Sequence, residues 1–236
     1  MATQPNLWVM RIVEDFISLF FPRYCLSCAV ALVKGEETLC ARCIFDLPKT
    51  HYDPEDNPVK DRLVGRLPLV YAFAFLKFTK GGHVQRLLHE LKYHHHPEIG
   101  VKLGKVFGQE LKERGLADAF DLIIPVPLHD SRKRKRGYNQ SARFAEGLSH
   151  VLGVPWDESI SIRQTKTATQ TNRNRWQRWE NVKDVFSISP SSALKGCRVL
   201  LVDDVITTGA TLEACGMHLL GSGCSELSIA CIADAQ

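Results

Sequence analysis

The sequence predicts an α/β fold with a mainly parallel sheet flanked by helices, preceded by a small cysteine-rich segment. Apolar stretches typical of strands alternate along the chain with stretches of helical periodicity, which is the pattern of a parallel sheet. Four cysteines form two closely spaced pairs near the N-terminus. With 236 residues, 44% of them hydrophobic, the chain is long enough for one ordinary domain and a small appendage.

Composition and local pattern divide the chain into three segments. Near the N-terminus, Val9, Val13 and Phe16 follow helical spacing, while Arg11 and Glu14 interrupt the apolar stretch. A signal peptide or a membrane span would need a longer uncharged stretch, so we expect a cytoplasmic protein. The expected segments are an amphipathic helix over residues 1–21, a four-cysteine zinc ribbon with a proline-containing polar linker over 22–60, and the α/β domain over 61–236.

The two cysteine pairs predict a structural metal site. Two CxxC turns can supply four thiolates, which fill the tetrahedral coordination sphere of zinc. Two disulfides are the alternative, and the lack of a secretory signal argues against them. The predicted zinc ligands are Cys25, Cys28, Cys40 and Cys43.

Strands are predicted from alternating or short continuous apolar runs, and helices from apolar residues three and four positions apart. Glycines that follow the apolar pattern, such as Gly115 and Gly153, mark helix ends. The predicted elements are, in order, a strand at Leu69–Phe75, helices at Val84–Leu91 and Leu103–Leu111, a strand at Leu122–Val126, a helix at Ser141–Leu152, a strand at Val199–Val202, a helix at Thr211–Leu220 and a strand at Leu227–Ile232.

One strand–loop–helix segment carries the strongest functional signal. After the apolar run Val199–Val202 come Asp203 and Asp204, and then the run Thr207, Thr208, Gly209, Ala210 and Thr211. A glycine turn before a helix can surround an anion with amides and hydroxyls. Because carboxylates repel phosphate, the acidic pair needs another partner, either ribose hydroxyls or a magnesium ion. An ordinary strand-to-helix turn is the alternative, but the whole ordered pattern is hard to reach by chance.

This segment resembles the phosphoribosyl-diphosphate (PRPP) motif of type I phosphoribosyltransferases, and the chain from about residue 22 onward resembles the ComF (ComFC/GntX-like) family within them. The other marks of that family are the two cysteine pairs, Leu91-Lys92-Tyr93, Pro125-Val126-Pro127-Leu128, Arg132 through Gln140, Gln170, Arg178, Asn181 and Phe186. Two features depart from the family pattern: Arg173 stands at an expected apolar position, and His94-His95-His96 replaces the usual loop.

The resemblance implies a type I phosphoribosyltransferase fold and a role for each motif. Asp203 and Asp204 would orient ribose, and residues 207–211 would bind the 5′-phosphate. Pyrophosphate would lie against the loop Pro127–Tyr138, where Arg132 and Arg136 offer forked, charge-assisted hydrogen bonds. Residues 163–184 would form a lid over PRPP. The candidate lid contacts are Gln170, Arg178 and Asn181, while Trp176 and Trp179 would either pack or stack on an acceptor base.

Two polar clusters have alternative interpretations. The basic run 132–136 could be a solvated helix end or a polynucleotide-binding patch instead of a pyrophosphate site. A metal could bind among His89, His94, His95 and His96, although adjacent histidines rarely converge on one ion, which favours a solvated loop.

The resulting expectation is an enzyme, a magnesium-dependent PRPP-binding protein that transfers phosphoribose to a nitrogen acceptor and releases pyrophosphate. The sequence identifies neither the acceptor, nor a general base, nor the oligomeric state. Glutamine-dependent chemistry is unsupported because no N-terminal cysteine nucleophile and glutaminase domain occur. The alternative is a non-catalytic adaptor in DNA uptake that senses PRPP or a nucleotide and binds single-stranded DNA or a helicase partner.

Overall fold

The protein consists of two compact units, Met1–Leu47 and Pro48–Gln236. Its computed structural model describes residues 20–163, 186–189 and 194–235, so nearly all of the expected N-terminal helix lies outside the described residues. In the described ranges, no helix combines the length and the apolar character needed to cross a bilayer.

The first unit is built mainly from tight turns. The amide of Cys25 donates to the carbonyl of Val30 at 2.8 Å, and the amide of Leu26 donates to the carbonyl of Thr38 at 3.1 Å. The short helix α1 (Ala41–Phe45) follows, with the Cys40 side chain at its N-cap position. These turns bring the two CxxC pairs together along a short chain.

The second unit is an α/β domain, as predicted. Its four longer strands form one parallel sheet in the order β1-β6-β5-β2, and β3 pairs with β4 in a separate antiparallel ribbon. The elements are α2 (Pro58–Asp61), β1 (Leu69–Lys77), α3 (His83–Tyr93), α4 (Glu98–Glu113), β2 (Leu122–Pro125), α5 (Asp130–Arg136), α6 (Gln140–Leu152), β3 (Ser161–Arg163), β4 (Phe186–Ile188), β5 (Arg198–Ile206), α7 (Ala210–Gly221) and β6 (Glu226–Asp234), with a 3₁₀ turn at Ala117–Ala119.

Both faces of the sheet are covered, which explains the uninterrupted apolar runs of its strands. All four residues of β2 are buried, as are the residues of β6 after Glu226. On one face, Phe73 and Phe75 of β1 contact Phe107 of α4, whose ring stacks on Phe144 of α6. Strands buried on two sides cannot alternate polar and apolar residues, so length and flanking turns identify them.

The second unit begins earlier than the boundary near residue 60 expected from composition. The polar, proline-containing segment after Leu47 is hydrogen-bonded to β1: Lys77 donates its amide to Pro48 at 2.7 Å, and Thr50 donates to Phe75 at 3.0 Å. The Asn57 side chain donates to the carbonyl of Ala72 at 3.0 Å. Since β1 is at one end of the sheet order, its outer edge needs backbone partners, and this segment supplies them.

Candidate functional site

The acidic pair lies within β5 rather than after its end. Pairing with β6 continues from Asp203, opposite Cys231, to Ile206, opposite Asp234. The prediction that this strand ends at Val202 was wrong, because β6 continues alongside and supplies hydrogen-bond partners beyond the acids. The pair nevertheless lies near the carboxyl end of the sheet, where parallel α/β folds bind their ligands.

Asp203 is partly buried, and one of its carboxylate oxygens accepts two hydrogen bonds. The Ser141 hydroxyl donates to its Oδ1 at 3.0 Å, and the amide of Asp204 donates to the same oxygen at 2.8 Å. Burial, followed by the charge of Asp204, raises the pKa of Asp203 to about 7 and outweighs these two hydrogen bonds and the charge of Lys92. Asp203 therefore changes its charge state close to neutral pH.

Asp204 pairs with Lys92, a residue of the motif Leu91-Lys92-Tyr93 for which no role was predicted. Lys92, in the last turn of α3, lies 2.8 Å from Oδ2 of Asp204. The motif Leu91-Lys92-Tyr93 thus meets the acidic pair. Lys92 was missed as a site residue because nothing local in the sequence indicates that α3 ends beside β5.

The turn after β5 has the form expected of an anion-binding loop. Thr207 and Thr208 are exposed, and Gly209 has a left-handed backbone with φ of 76°. Gly209 is the N-cap of α7, a 12-residue helix without a side-chain cap hydrogen bond. The first amides of a helix lack partners within the helix, so this end of α7 offers donors and a positive dipole to an anion.

A basic cleft of about 370 Å³ lies beside the acidic pair. The run 130–136, treated as part of a loop in the sequence analysis, forms helix α5. Both predicted pyrophosphate ligands on it line the cleft, and Lys92 connects the cleft to Asp204. The lining residues are Lys92, Tyr93, His95, Arg132, Lys135 and Arg136.

Contacts from α3, the following loop and α6 fix Arg136 in this cleft. Its guanidinium lies 5.3 Å from the centroid of the Tyr93 ring and donates to Oε1 of Gln140 at 2.8 Å. The Nδ1 atom of His95 is 3.2 Å from the Arg136 carbonyl oxygen. A held guanidinium loses less freedom on binding a diphosphate than a free one would.

Arg163, the first residue of the segment expected to form the lid, is instead the last residue of β3. Burial, and then the charge of Arg132, lower its pKa, while the charge of Asp203 raises it. Arg163 therefore lies close enough to both Arg132 and Asp203 for their charges to affect it. Its guanidinium lies 5.6 Å from the centroid of the Phe186 ring on β4.

The predicted lid contacts lie outside the described residues. The antiparallel pair β3–β4 flanks that segment, with Arg163 opposite Phe186. The lid assignments therefore remain predictions, as do the roles suggested for the tryptophans. The residues concerned are Gln170, Arg173, Trp176, Arg178, Trp179 and Asn181.

In the first unit, the four predicted cysteine ligands form one cluster. Their sulfur atoms all lie within 4.8 Å of one another, and the Sγ atoms of Cys28 and Cys40 are 3.8 Å apart. The Cys40 amide donates to Sγ of Cys25 at 3.3 Å. Burial raises the pKa of Cys25, but backbone amides, chiefly that of Cys40, outweigh it and lower the pKa to about 7. This donor set fits a metal that binds thiolates.

The histidine run does not converge on one point. His94 and His96 both approach Oε2 of Glu90, at 3.1 Å and 3.9 Å, and His96 also pairs with Glu98 at 2.7 Å. His95 turns to the carbonyl of Arg136 instead. A smaller group of His89, Glu90 and His94 has ligand atoms within 4.8 Å of one another, and both of its histidines are exposed. The three adjacent histidines therefore do not share one set of partners, because His95 turns away from the acidic residues that His94 and His96 contact.

Comparison with known proteins assigns the chain to a family. The family model of the phosphoribosyl transferase domain matches residues 111–236. The chain is 30% identical over 237 residues to DNA utilization protein YhgH of Salmonella typhimurium, covering 98% of each chain. It is 39% identical over 110 residues to competence protein F of Haemophilus influenzae, covering 46% of this chain and 48% of that protein.

Among solved structures, glutamine PRPP amidotransferase from B. subtilis in complex with ADP and GMP matches with a TM-score of 0.44 and 22% identity, covering 61% of this chain and 30% of that chain. The family assignment rests on the domain match, which spans more than half of the chain, and on the full-length relative. The chain belongs to the phosphoribosyl transferase domain family and, within it, to the ComF group that its motifs resemble.

Proposed function

We propose that this protein is a magnesium-dependent phosphoribosyltransferase, which binds PRPP and transfers its phosphoribosyl group to a nitrogen nucleophile. The observation that carries the proposal is the convergence of three kinds of group at one end of the sheet: an acidic pair in β5, an anion-binding turn before α7, and the basic cleft. PRPP presents ribose hydroxyls, a 5′-phosphate and a diphosphate, so each kind of group has a chemically matched partner.

Each part of PRPP would have its own set of ligands. Asp203 and Asp204 accept hydrogen bonds from the ribose hydroxyls, and residues 207–211 bind the 5′-phosphate through amides and hydroxyls. Arg132 and Arg136 hold the diphosphate in the cleft, where charge-assisted bonds to phosphate oxygens are favoured.

The reaction breaks the bond between C1 of ribose and the diphosphate oxygen, which leaves with the electron pair. The lone pair of the acceptor nitrogen forms the new bond to C1, and the nitrogen then releases its proton to solvent. Because negative charge grows on the departing pyrophosphate, the guanidinium groups of Arg132 and Arg136 stabilise the transition state more than the ground state. Magnesium bound with PRPP would supply further neutralisation of the diphosphate, and carboxylates are suitable oxygen ligands for it.

A crossed set of ligands and variants tests these roles. Asp203→Asn with Asp204→Asn should weaken PRPP binding at least about tenfold, since a hydrogen bond to a charged group contributes roughly 1.5–3 kcal/mol. Thr208→Val should weaken both PRPP and ribose 5-phosphate. Arg132→Ala should weaken PRPP and pyrophosphate but spare ribose 5-phosphate, which has no diphosphate. Calorimetric titration of the three ligands measures the pattern.

A matched control is available on the same helix. Lys133 is bound to Glu158 at 3.0 Å and does not line the cleft. Lys133→Ala removes one positive charge from α5 and should leave pyrophosphate affinity nearly unchanged. If the double Asn variant binds magnesium-PRPP as tightly as the parent, the assignment of Asp203 and Asp204 as PRPP ligands is wrong. Release of pyrophosphate in the presence of a panel of nitrogen acceptors then measures catalysis.

We also propose that the four-cysteine cluster binds a structural zinc ion. Four sulfurs at mutual distances compatible with one ion, and amides that donate to them, support this assignment. A closed four-thiolate site leaves no position for a substrate, so the zinc would stabilise the first unit and take no part in transfer.

A second candidate function is a role as an adaptor in DNA uptake, with PRPP or a nucleotide as a regulatory ligand. The side chain of Tyr93 lies in the basic cleft, and the residue is 55% exposed. An exposed aromatic ring among cations is the arrangement that binds single-stranded DNA. The names of the relatives, DNA utilization protein and competence protein, point in the same direction.

Competition and salt dependence separate this candidate from the first. If single-stranded DNA occupies the cleft, its affinity should fall steeply with salt, and saturating pyrophosphate should displace it. Tyr93→Ala should weaken DNA binding by roughly 1–3 kcal/mol, the contribution of one stacked base, and Tyr93→Phe should retain it. Fluorescence anisotropy of a labelled oligonucleotide gives both results, and binding that pyrophosphate leaves unchanged would exclude the cleft as the DNA site.

A further inference from the structure

The turn that precedes α7 is held from one side by two arginines that the sequence analysis did not single out. Arg62 donates through Nη1 to the carbonyl of Thr207 at 2.9 Å, and Arg66 donates through Nη1 to the carbonyl of Thr208 at 3.0 Å. Leu63 lies between them and contacts the next residue of the turn: a methyl group added at Gly209 would lie 2.8 Å from Cδ2 of Leu63. One short segment thus touches three consecutive residues of the turn.

Peptide geometry gives these contacts a consequence. No cis peptide bond occurs among the described residues, and in a trans peptide the carbonyl and the amide point in opposite directions. When Arg62 holds the carbonyl of Thr207, the amide of Thr208 in the same peptide plane points away from the arginines. The carbonyl of Thr208 and the amide of Gly209 are related in the same way. Two consecutive amides are therefore directed to the side opposite the arginines.

Both arginines are themselves fixed by the fold. Arg62 binds Oδ1 of Asp234, the last residue of β6, at 2.5 Å, and the hydroxyl of Tyr52 contacts the other oxygen of that carboxylate at 3.3 Å. Arg66 binds Glu213 in the first turn of α7, with its Nε atom 2.8 Å from Oε2. The turn is thereby connected to the sheet through Arg62 and to its own helix through Arg66.

We propose that Arg62 and Arg66 are positioning residues that hold the peptides of the turn so that the amides of Thr208 and Gly209 face the 5′-phosphate of PRPP. The proposal rests on the proposed function for the identity of the ligand. The arginines act through the backbone and do not touch the ligand, because their guanidinium groups are occupied by the carbonyls and carboxylates behind the turn. They would pre-organise an anion site whose donors belong to the main chain.

Lysine substitutions separate this role from simple attraction of phosphate by positive charge. Arg62→Lys and Arg66→Lys keep the charge but lack the planar fork that serves a carbonyl and a carboxylate together. Arg198→Lys is the matched control, since Arg198 binds Asp121 through a similar fork at 2.7 Å and 3.1 Å at the amino end of β5.

Calorimetric titration with ribose 5-phosphate and pyrophosphate is the first measurement. Each of Arg62→Lys and Arg66→Lys should weaken ribose 5-phosphate by about tenfold, the loss expected for one hydrogen bond to a charged group. Pyrophosphate affinity should stay unchanged, and Arg198→Lys should change neither ligand. If the parent binds ribose 5-phosphate and both lysine variants bind it equally tightly, the positioning role is overturned.

Hydrogen exchange of the ligand-free protein is the second measurement and does not depend on the proposed function. Peptides that cover residues 203–212 should exchange faster in both lysine variants than in the parent, while peptides from β2 should not change. Unchanged exchange in this segment would refute the anchoring. Faster exchange in a protein whose parent does not bind ribose 5-phosphate would keep the anchoring and reject the phosphate site, so the two failures are distinguishable.

Discussion

The charge of Asp203 depends on its place in the fold. Burial and the neighbouring Asp204 raise its pKa from 3.8 to about 7, so between these values the folded protein keeps a proton that the unfolded chain has lost. A raised pKa of this kind stabilises the folded state at low pH, and the contribution is lost as the pH rises through about 7. Under the proposed function, the same carboxylate must be charged to accept ribose hydroxyls well, so a rise in pH would favour binding and lower stability.

Asp203→Asn should therefore flatten the pH dependence of stability. In the parent, this group should lower the free energy of unfolding by up to about 1.4 kcal/mol per pH unit between about pH 4 and pH 7. The asparagine variant should lack that component and be more stable than the parent at pH 8. Urea unfolding at several pH values measures the difference.

The pKa of Asp121 is shifted in the direction opposite to that of Asp203. Hydrogen bonds from Arg198 lower its pKa to about 2, so its contribution to stability is present at neutral pH and is lost as the pH falls through about 2. Asp121→Asn should destabilise the protein at pH 7. If both asparagine variants shift stability in the same direction at neutral pH, the assignment for Asp203 is wrong.

At the scale of the element, the turn between β5 and α7 requires glycine for two separate reasons. Gly209 has φ of 76°, and a Cβ there would also lie 2.8 Å from Leu63. Gly153, at the end of α6, has φ of 73° and nothing within 4 Å of an added Cβ. The two glycines share the left-handed backbone conformation, but only at Gly209 would an added side chain meet a neighbouring residue.

Gly153→Ala should cost about 1–2 kcal/mol, the penalty for a left-handed residue with a side chain. Gly209→Ala should cost more, because Leu63 or the turn must also move. Only Gly209→Ala should weaken ribose 5-phosphate binding. Denaturant unfolding measures the loss of stability, and titration of that ligand measures whether the turn has moved. Equal losses of stability in the two variants would show that Leu63 moves aside at little cost.

At the scale of the whole molecule, the two compact units predict independent responses to metal loss. We expect about one zinc per chain, the content of a single tetrahedral site. Cys40→Ser should remove the metal and loosen residues 20–47, because binding a structural metal contributes directly to folding. The second unit, with its own apolar core, should remain folded.

Metal analysis and the thermal transition of the variant measure these outcomes. Cys197→Ser is the control, since this cysteine belongs to the second unit and is not part of the cluster. It should retain full zinc content. An N-terminal unit that stays ordered in metal-free protein would refute the structural role of zinc.

Local sequence patterns were sufficient for the features that depend on neighbouring residues. Parallel strands buried on both faces appear as apolar runs, helices as repeats of three and four, and the cysteine turns as CxxC pairs, so the fold class and the cysteine cluster could be predicted. The turn Thr207–Thr211 was also located correctly because a glycine before a helix is a local signal. The end of β5 was misplaced because strand length depends on the partner strand, which is distant in sequence.

The sequence by itself thus determined the fold class, the order of the longer strands and helices, and the four residues of the cysteine cluster. Only the tertiary structure decided which residues support those segments. Lys92 reaches Asp204 because α3 ends beside β5, and Arg62 reaches the carbonyl of Thr207 across 145 positions in the chain. Such contacts depend on how the helices pack and on the order of the strands in the sheet. They leave no local pattern in the sequence, because an arginine that binds a distant carbonyl has the same sequence context as an arginine exposed to solvent.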